Sequence, residues 1–239
     1  MLDDPSLELR RDAVAFALEQ ASRLADSDRK SEAIQKYQAT LSAARDVDQI
    51  EAATKALSAL GVEVDLPTHF GFLTRWKVVG PFDNSNLTGF AAVFPPETSI
   101  DLEAQYDGKL GKVAWTDFTT DDKYGMVDLN RAVGKHNGVT AYASFDFISP
   151  LERDVEFRLG SINANKVWLN GVLLTANEVY HTNTKIDQYV APGRLNVGSN
   201  VILVKVCQNE QTEDWAQRWQ FQLRVCDKTG TAVLPESQP

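Results

Sequence analysis

The sequence predicts an α+β protein that is mainly β: an antiparallel β-sandwich or jelly roll behind an N-terminal segment of three helices. Three observations predict it. Up to residue 60 apolar side chains recur at spacings of three and four, and beyond residue 66 that period is lost. From 69 to 235, short strand-like runs are punctuated by Gly, Asn, Asp and Pro with no long helix between them. In KVWLNGVLL, residues 166–174, an Asn170-Gly171 pair stands between two apolar runs, the sequence of a type I′ reversal joining adjacent antiparallel strands.

Residues 6–60 carry three helical stripes: Leu7, Val14, Ala17, Ala21 and Leu24; Ile34, Tyr37, Leu41 and Ala44; Ile50, Ala53, Leu57 and Leu60. Asp26/Ser27 and Asp46/Asp48 are candidate caps for the second and third helices, and Gly61 is a C-terminal stop. Pro67 and the run FGFLTRWKVV mark entry into β structure. The boundary therefore falls near 61–68, between a helical segment over 1–65 and a sandwich over 66–239. Strands are expected at 76–82, 112–118, 124–129, 139–148, 154–160, 165–169, 172–174, 200–208 and 219–226. GKLGKV at 108–113 lacks the Walker spacing and precedes a strand, so it is a hairpin turn rather than a phosphate loop.

With a net charge of −9 and no Lys/Arg run, a nucleic-acid backbone or an anionic membrane would be repelled. No apolar window reaches the roughly 18–20 residues of a membrane span. The start, MLDDPSLELRRDAV, has no signal-peptide pattern. The chain as given would stay in the cytoplasm, while a piece of a longer exported protein would look the same, so the compartment stays open.

Two cysteines, Cys207 and Cys226, end the runs VILVKVC and WQFQLRVC. If these runs pair as neighbours with Val206 near Phe221, the thiols lie roughly 20 Å apart along the ladder, beyond the ~7 Å reach of a disulfide. Two free, buried thiols are expected.

Downstream of the Asn-Gly turn comes TKIDQYVAPGRLNVGSNVILVKVCQN. Together Val167, Trp168, Leu169, Asn170, Gly171, Asp187, Tyr189, Val190, Leu195, Gly198, Asn200, Ile202, Val204 and Val206 resemble the jelly-roll sugar-binding domain of family 2 glycoside hydrolases, and more broadly the galactose-binding-like superfamily. The block WKVVGPFDN…GFAAVFPPE is similar to the opening of such modules in large bacterial proteins, where a helical-repeat region precedes the sandwich. DPSLELRRDAV resembles the start of a HEAT-type helix, and EAIQKYQATLSAA a tetratricopeptide helix. Asn170, Gly171, Gly198 and Asn200 read as fold-making turn positions, so the resemblance implies a fold more than a site.

The three histidines, His69, His136 and His181, sit in no metal-ligand spacing, and no GxSxG or GxGxxG occurs. No catalytic residue, metal ligand or cofactor is assigned. DNSNLTG at 83–89 loosely resembles a calcium loop, leaving a structural calcium ion as an alternative. Recognition residues gather on loops of a rigid sandwich. ANEVYHTNT (176–184) offers Tyr180 and His181, and QNEQTEDWAQRW (208–219) offers Glu210, Trp215 and Arg218. Aromatic faces suit sugar rings, while carboxylate and guanidinium bond hydroxyls. Trp76, Trp115, Trp168 and Trp219 alternate within strands and belong to packing. The favoured expectation is a non-catalytic accessory module that binds carbohydrate and neighbours other domains of a longer chain. Its rivals are a structural or protein-interaction domain without a sugar ligand, and a hydrolase with an unrecognised carboxylate pair.

Overall fold

A computed structural model describes Leu2 and residues 4–236. The chain divides into two compact units, one holding the residues up to His69 with Lys228–Thr231, the other Phe70–Asp227 and the residues from Ala232 onward.

The first unit contains α1 (Leu7–Asp26), α2 (Lys30–Ala43) and α3 (Val47–Ala59). The Ser6 hydroxyl caps α1 by accepting from the Leu9 amide. The buried stripe of α1 is Val14, Ala17 and Ala21, that of α2 includes Ala33, Tyr37 and Leu41, and that of α3 includes Ile50, Ala53 and Leu57. Leu7 departs from expectation and is exposed. So do the caps: α2 begins after Arg29 with no side-chain cap, because the chain makes a turn at Asp28 (φ 55°) after Asp26 and Ser27 have closed α1. Asp46 precedes α3 but gives its carboxylate to Arg11 instead, at 3.1 Å. The far end of α3 is a Schellman motif. Gly61, at φ 82°, donates to Ser58 and Val62 donates to Leu57, which satisfies two carbonyls that the last helical turn leaves open.

After a short helix, α4 (Leu66–Phe70), twelve strands follow: β1 (Arg75–Asp83), β2 (Gln105–Gly108), β3 (Gly111–Ala114), β4 (Thr116–Thr119), β5 (Val127–Asp128), β6 (Val139–Ser149), β7 (Arg153–Ser161), β8 (Ala164–Leu169), β9 (Val172–Asn177), β10 (Tyr189–Leu195), β11 (Gly198–Gln208) and β12 (Gln220–Cys226). Two further single turns of helix are α5 (Pro95–Thr98) and α6 (Leu129–Ala132). The strands form a six-stranded sheet, β4-β1-β6-β11-β8-β9, a four-stranded sheet, β10-β7-β12-β5, and the β2-β3 hairpin, all antiparallel. From β6 to β12 the chain changes sheet at almost every connection, so the two sheets close on each other as an antiparallel β-sandwich.

Alternation sets the core. Phe147, Val167, Ile202, Val204 and Val206 of the larger sheet meet Val155, Phe157, Leu159, Phe221, Leu223 and Val225 of the smaller one. Trp76 packs edge-on to Phe221 at 5.2 Å, and Trp219 donates its indole N–H to the Val206 carbonyl. The alternate residues of β11 and its neighbours face outward, yet they are also buried. Val79, Phe82, Tyr142, Trp168 and Leu203 form a second apolar cluster with Trp115, covered by Phe94, Ile100, Tyr106 and Val113 from the β1–β4 connection. Among these outward positions is Lys205, with 0% of its surface exposed.

Several strand expectations need correction. The run 112–118 is two strands, because Trp115 ends the hairpin and the chain then joins the edge of the larger sheet as β4. Residues 124–129 pair only at Val127–Asp128, after which the Asp128 carboxylate accepts from Asn130 and starts α6. β2 and β10 were not among the expected strands. The two Cys-bearing strands are not neighbours. β11 pairs with β6 and β8, while β12 pairs with β5 and β7 in the other sheet. Both thiols are nonetheless free and buried.

Candidate functional site

One end of the sandwich gathers six connections: those after β1, between β2 and β3, before β6, between β7 and β8, after β9 and after β11. The pairing fixes this, since Asp83 and Gln208 both stand opposite Val139, the first residue of β6. Backbone bonds knit the loops, with Gly138 donating to Asn209 and Asn84 donating to Gly138. Non-glycine residues rarely hold positive φ outside overdetermined sites; three do so in these loops, Asn86 (55°), Leu87 (62°) and His181 (57°).

All five expected site residues lie on these connections, and the side chains of four of them bond or stack with other loop residues. Tyr180 is half-buried against Phe90, Ala164 and Cys207, and its hydroxyl accepts from Asn84 Nδ2 at 3.3 Å. Burial pushes that phenol up to about 12. The His181 ring donates from Nε2 to Asn209 Oδ1 at 2.9 Å and sits edge-to-face with Trp215, ring centroids 5.1 Å apart. Trp215, on a single 3-10 turn at Asp214–Ala216, leaves 59% of its surface in water. Glu210 accepts from the Asn86 amide at 2.9 Å. Arg218 is exposed, and its backbone carbonyl accepts from Asn163, so it is anchored to the start of β8 rather than to the His181–Trp215 pair.

Sequence reasoning passed over three members. Asp83 accepts from Ser85 twice and pairs with Lys109 at 3.1 Å. The Ser85 bond, with Lys109 beside it, holds the Asp83 carboxyl below its ordinary range. Lys109 comes from the β2–β3 turn and also donates to the Gly138 carbonyl at 2.6 Å. Asn84, fully buried, donates to the Gln208 carbonyl. Asp83 and Asn84 had a local cue, in DNSNLTG, and Lys109 had none. The first acid of that loop pairs with Lys109, and no three His, Cys, Asp or Glu gather for a metal among the described residues. Two buried acceptors of the cluster, Asn84 Oδ1 and His181 Nδ1, find no donor among the described residues.

The fold-making residues lie at the opposite end of β8. Asn170 (φ 50°) and Gly171 (φ 80°) make the two-residue reversal between β8 and β9. Gly198 (φ 86°) opens β11, and the buried Asn200 donates to the Asn196 and Gly198 carbonyls.

No protein-family model matches the chain, and no curated protein does. Among solved structures it is similar to a β-glucosidase from Kluyveromyces marxianus in complex with glucose (12% identity over 66% of this chain and 16% of that one, TM-score 0.38). It is also similar to a family 35 carbohydrate-binding module from Clostridium thermocellum (16% identity, 38% and 74% of the two chains, TM-score 0.28) and to an anti-sigma factor domain-containing protein (13%, 68% and 46%, TM-score 0.39). These likenesses are distant, and this chain spans less than a fifth of the glucosidase.

Proposed function

We propose that the protein is a non-catalytic accessory module that binds carbohydrate at the loop end of a galactose-binding-like jelly roll. One observation carries this reading: Trp215 presents a mostly exposed indole whose orientation is held by His181, itself tied to Asn209. An indole fixed in water offers an apolar face for the C–H side of a sugar ring at little entropic cost. Glu210 and Lys109 supply polar groups on the same set of loops. In this reading residues 1–65 are a HEAT- or tetratricopeptide-like segment and 66–239 the sugar-binding module, both serving a larger multidomain protein.

Glycan-array screening followed by calorimetry against plant and algal polysaccharides tests it. Binding should weaken tenfold or more in Trp215→Ala, about 1.4 kcal/mol. Flat arrays, or a bound glycan indifferent to Trp215→Ala, would sink it.

The second reading is a protein-interaction domain. It is favoured by α1, where Leu9 and Phe16, each 60% exposed and seven residues apart, stand on one helical face outside the buried stripe. Cross-linking the purified chain to its parent's neighbouring domains should then be lost in Leu9→Glu/Phe16→Glu; unchanged cross-links would count against it.

A further inference from the structure

The outer face of the six-stranded sheet holds a half-open cleft of about 320 Å³ between the 96–100 segment and the Asn170–Gly171 turn. It lies at the end of β8 and β11 away from the loop cluster, since Leu169 and Ile202 pair there whereas Ala164 and Cys207 pair at the other. Trp168, Leu203, Val201 and Ile100 give it apolar walls, and Glu97 gives it one carboxylate.

That carboxylate is held in an unusual way. Its Oε1 accepts from both the Tyr142 hydroxyl and Lys205 Nζ, the latter at 2.7 Å. Lys205 also donates to the carbonyls of Phe90 and Ala92, so all three of its protons are used. Oε2 accepts no hydrogen bond among the described residues. The Glu97 side chain is only 8% exposed, so a carboxyl oxygen with unused acceptor capacity is fixed in a largely apolar wall. Oε2 is not one of the fully buried atoms left without a partner, so it meets solvent in the cleft, where it can accept from a ligand hydroxyl.

Charge and size narrow the ligand. Lys205 already balances Glu97, so a cation would meet the buried ammonium and an anion the carboxylate. The volume stands at the lower end of the roughly 300–1,000 Å³ of small-molecule sites, room for one ring rather than an oligomer. We propose that this cleft binds a single neutral pyranose ring, which packs an apolar face against the wall of Ile100, Val201, Leu203 and Trp168 and donates a hydroxyl to Glu97 Oε2. The site is separate from the loop cluster and does not depend on the reading of that cluster.

Nitrogen-15 NMR titration of the whole chain with methyl glucoside, methyl galactoside and methyl xyloside tests the proposal. At least one should give saturable, millimolar shifts at Thr98, Ser99, Ile100, Asn170 and the Trp168 indole N–H. Val201→Trp, which fills the cleft from its rim, should weaken this binding tenfold or more with the rest of the spectrum unchanged. Ser99→Trp fills it from the other wall should the first variant not fold. Trp215→Ala should leave these shifts intact, which separates this site from the loop end. Saturable shifts elsewhere only, no response to any of the three glycosides, native affinity in the filled variants, or tighter binding of glucosamine than of the neutral sugars would each overturn it.

Discussion

Asn170 Nδ2 donates to Asn200 Oδ1 at 3.1 Å, joining two residues thirty positions apart in the chain. Asn170 returns the tie through its own Oδ1, which accepts from the Val201 amide at 2.8 Å. The β8–β9 reversal is thus stitched to the first residues of β11, and its register is set by side chains as well as by the ladder.

Asn200→Ala should therefore be costly. The substitution strands the carbonyls of Asn196 and Gly198, the Asn196 amide and the Asn170 amide group around a fully buried position. At about 1–3 kcal/mol for each unpaired buried group, discounted for those that reach water, a loss of roughly 2–4 kcal/mol is expected. Urea unfolding would show it as a lower midpoint with an unchanged slope.

Two glycines should respond differently to the same change. At Gly171, φ is 80° and nothing lies within 4 Å of an added Cβ, so Gly171→Ala pays only the left-handed backbone cost of about 1–2 kcal/mol. At Gly89 an added Cβ would sit 2.5 Å from the Asp83 carbonyl oxygen and 2.8 Å from Asn84 Oδ1. Gly89→Ala must displace backbone in the loop cluster and should cost more than Gly171→Ala in a parallel thermal melt.

A pH series on Asp187→Asn would read the ion cluster on the smaller sheet. Arg224 grips both oxygens of Asp187 at 2.6 Å and Arg158 adds a bond at 2.7 Å. Burial alone would raise this carboxyl, yet the two guanidiniums hold it below its ordinary range. A depressed folded-state value means stability that is complete above the unfolded pKa, about 3.9, and is lost as pH falls through the folded one. Wild type should exceed Asp187→Asn by about 3 kcal/mol near neutrality, and the gap should close below pH ~3.9. A gap that persists there would disprove the pairing.

Both cysteines should be inert while the protein is folded. Burial pushes each thiol up to about 11, leaving a negligible thiolate fraction at neutral pH. Iodoacetamide labelling followed by mass spectrometry should find neither modified in buffer and both modified in denaturant.

The legible parts of this chain were those governed by local rules. Gly61 behaved as a helix terminator, Asn170-Gly171 as a hairpin, and Lys109-Leu110 as the tip of another, because each needs only a few neighbouring residues. The buried Trp76, Trp115, Trp168 and Trp219 likewise follow from alternation. What could not be seen is whatever joins distant segments. Lys205, placed between Val204 and Val206, has the signature of a solvent-facing position; it is buried because the 84–104 stretch lies over it. The pairing of Asp83 with Lys109, and of Glu210 with Asn86, depends on loops meeting across the sandwich end, for which no sequence spacing gives a cue. Strand adjacency failed similarly: β11 and β12 follow one another in the chain yet belong to opposite sheets.

The irregular stretch over residues 84–104 acts as a third layer although it has almost no regular structure of its own. Trimming it as a dispensable loop would strip the lid from Tyr142, Trp168 and Leu203 and leave the Lys205 ammonium without its carbonyl and carboxylate partners. The outcome would be an oily plate with a stranded charge at its centre, and such a truncated chain would clump rather than persist as a smaller domain.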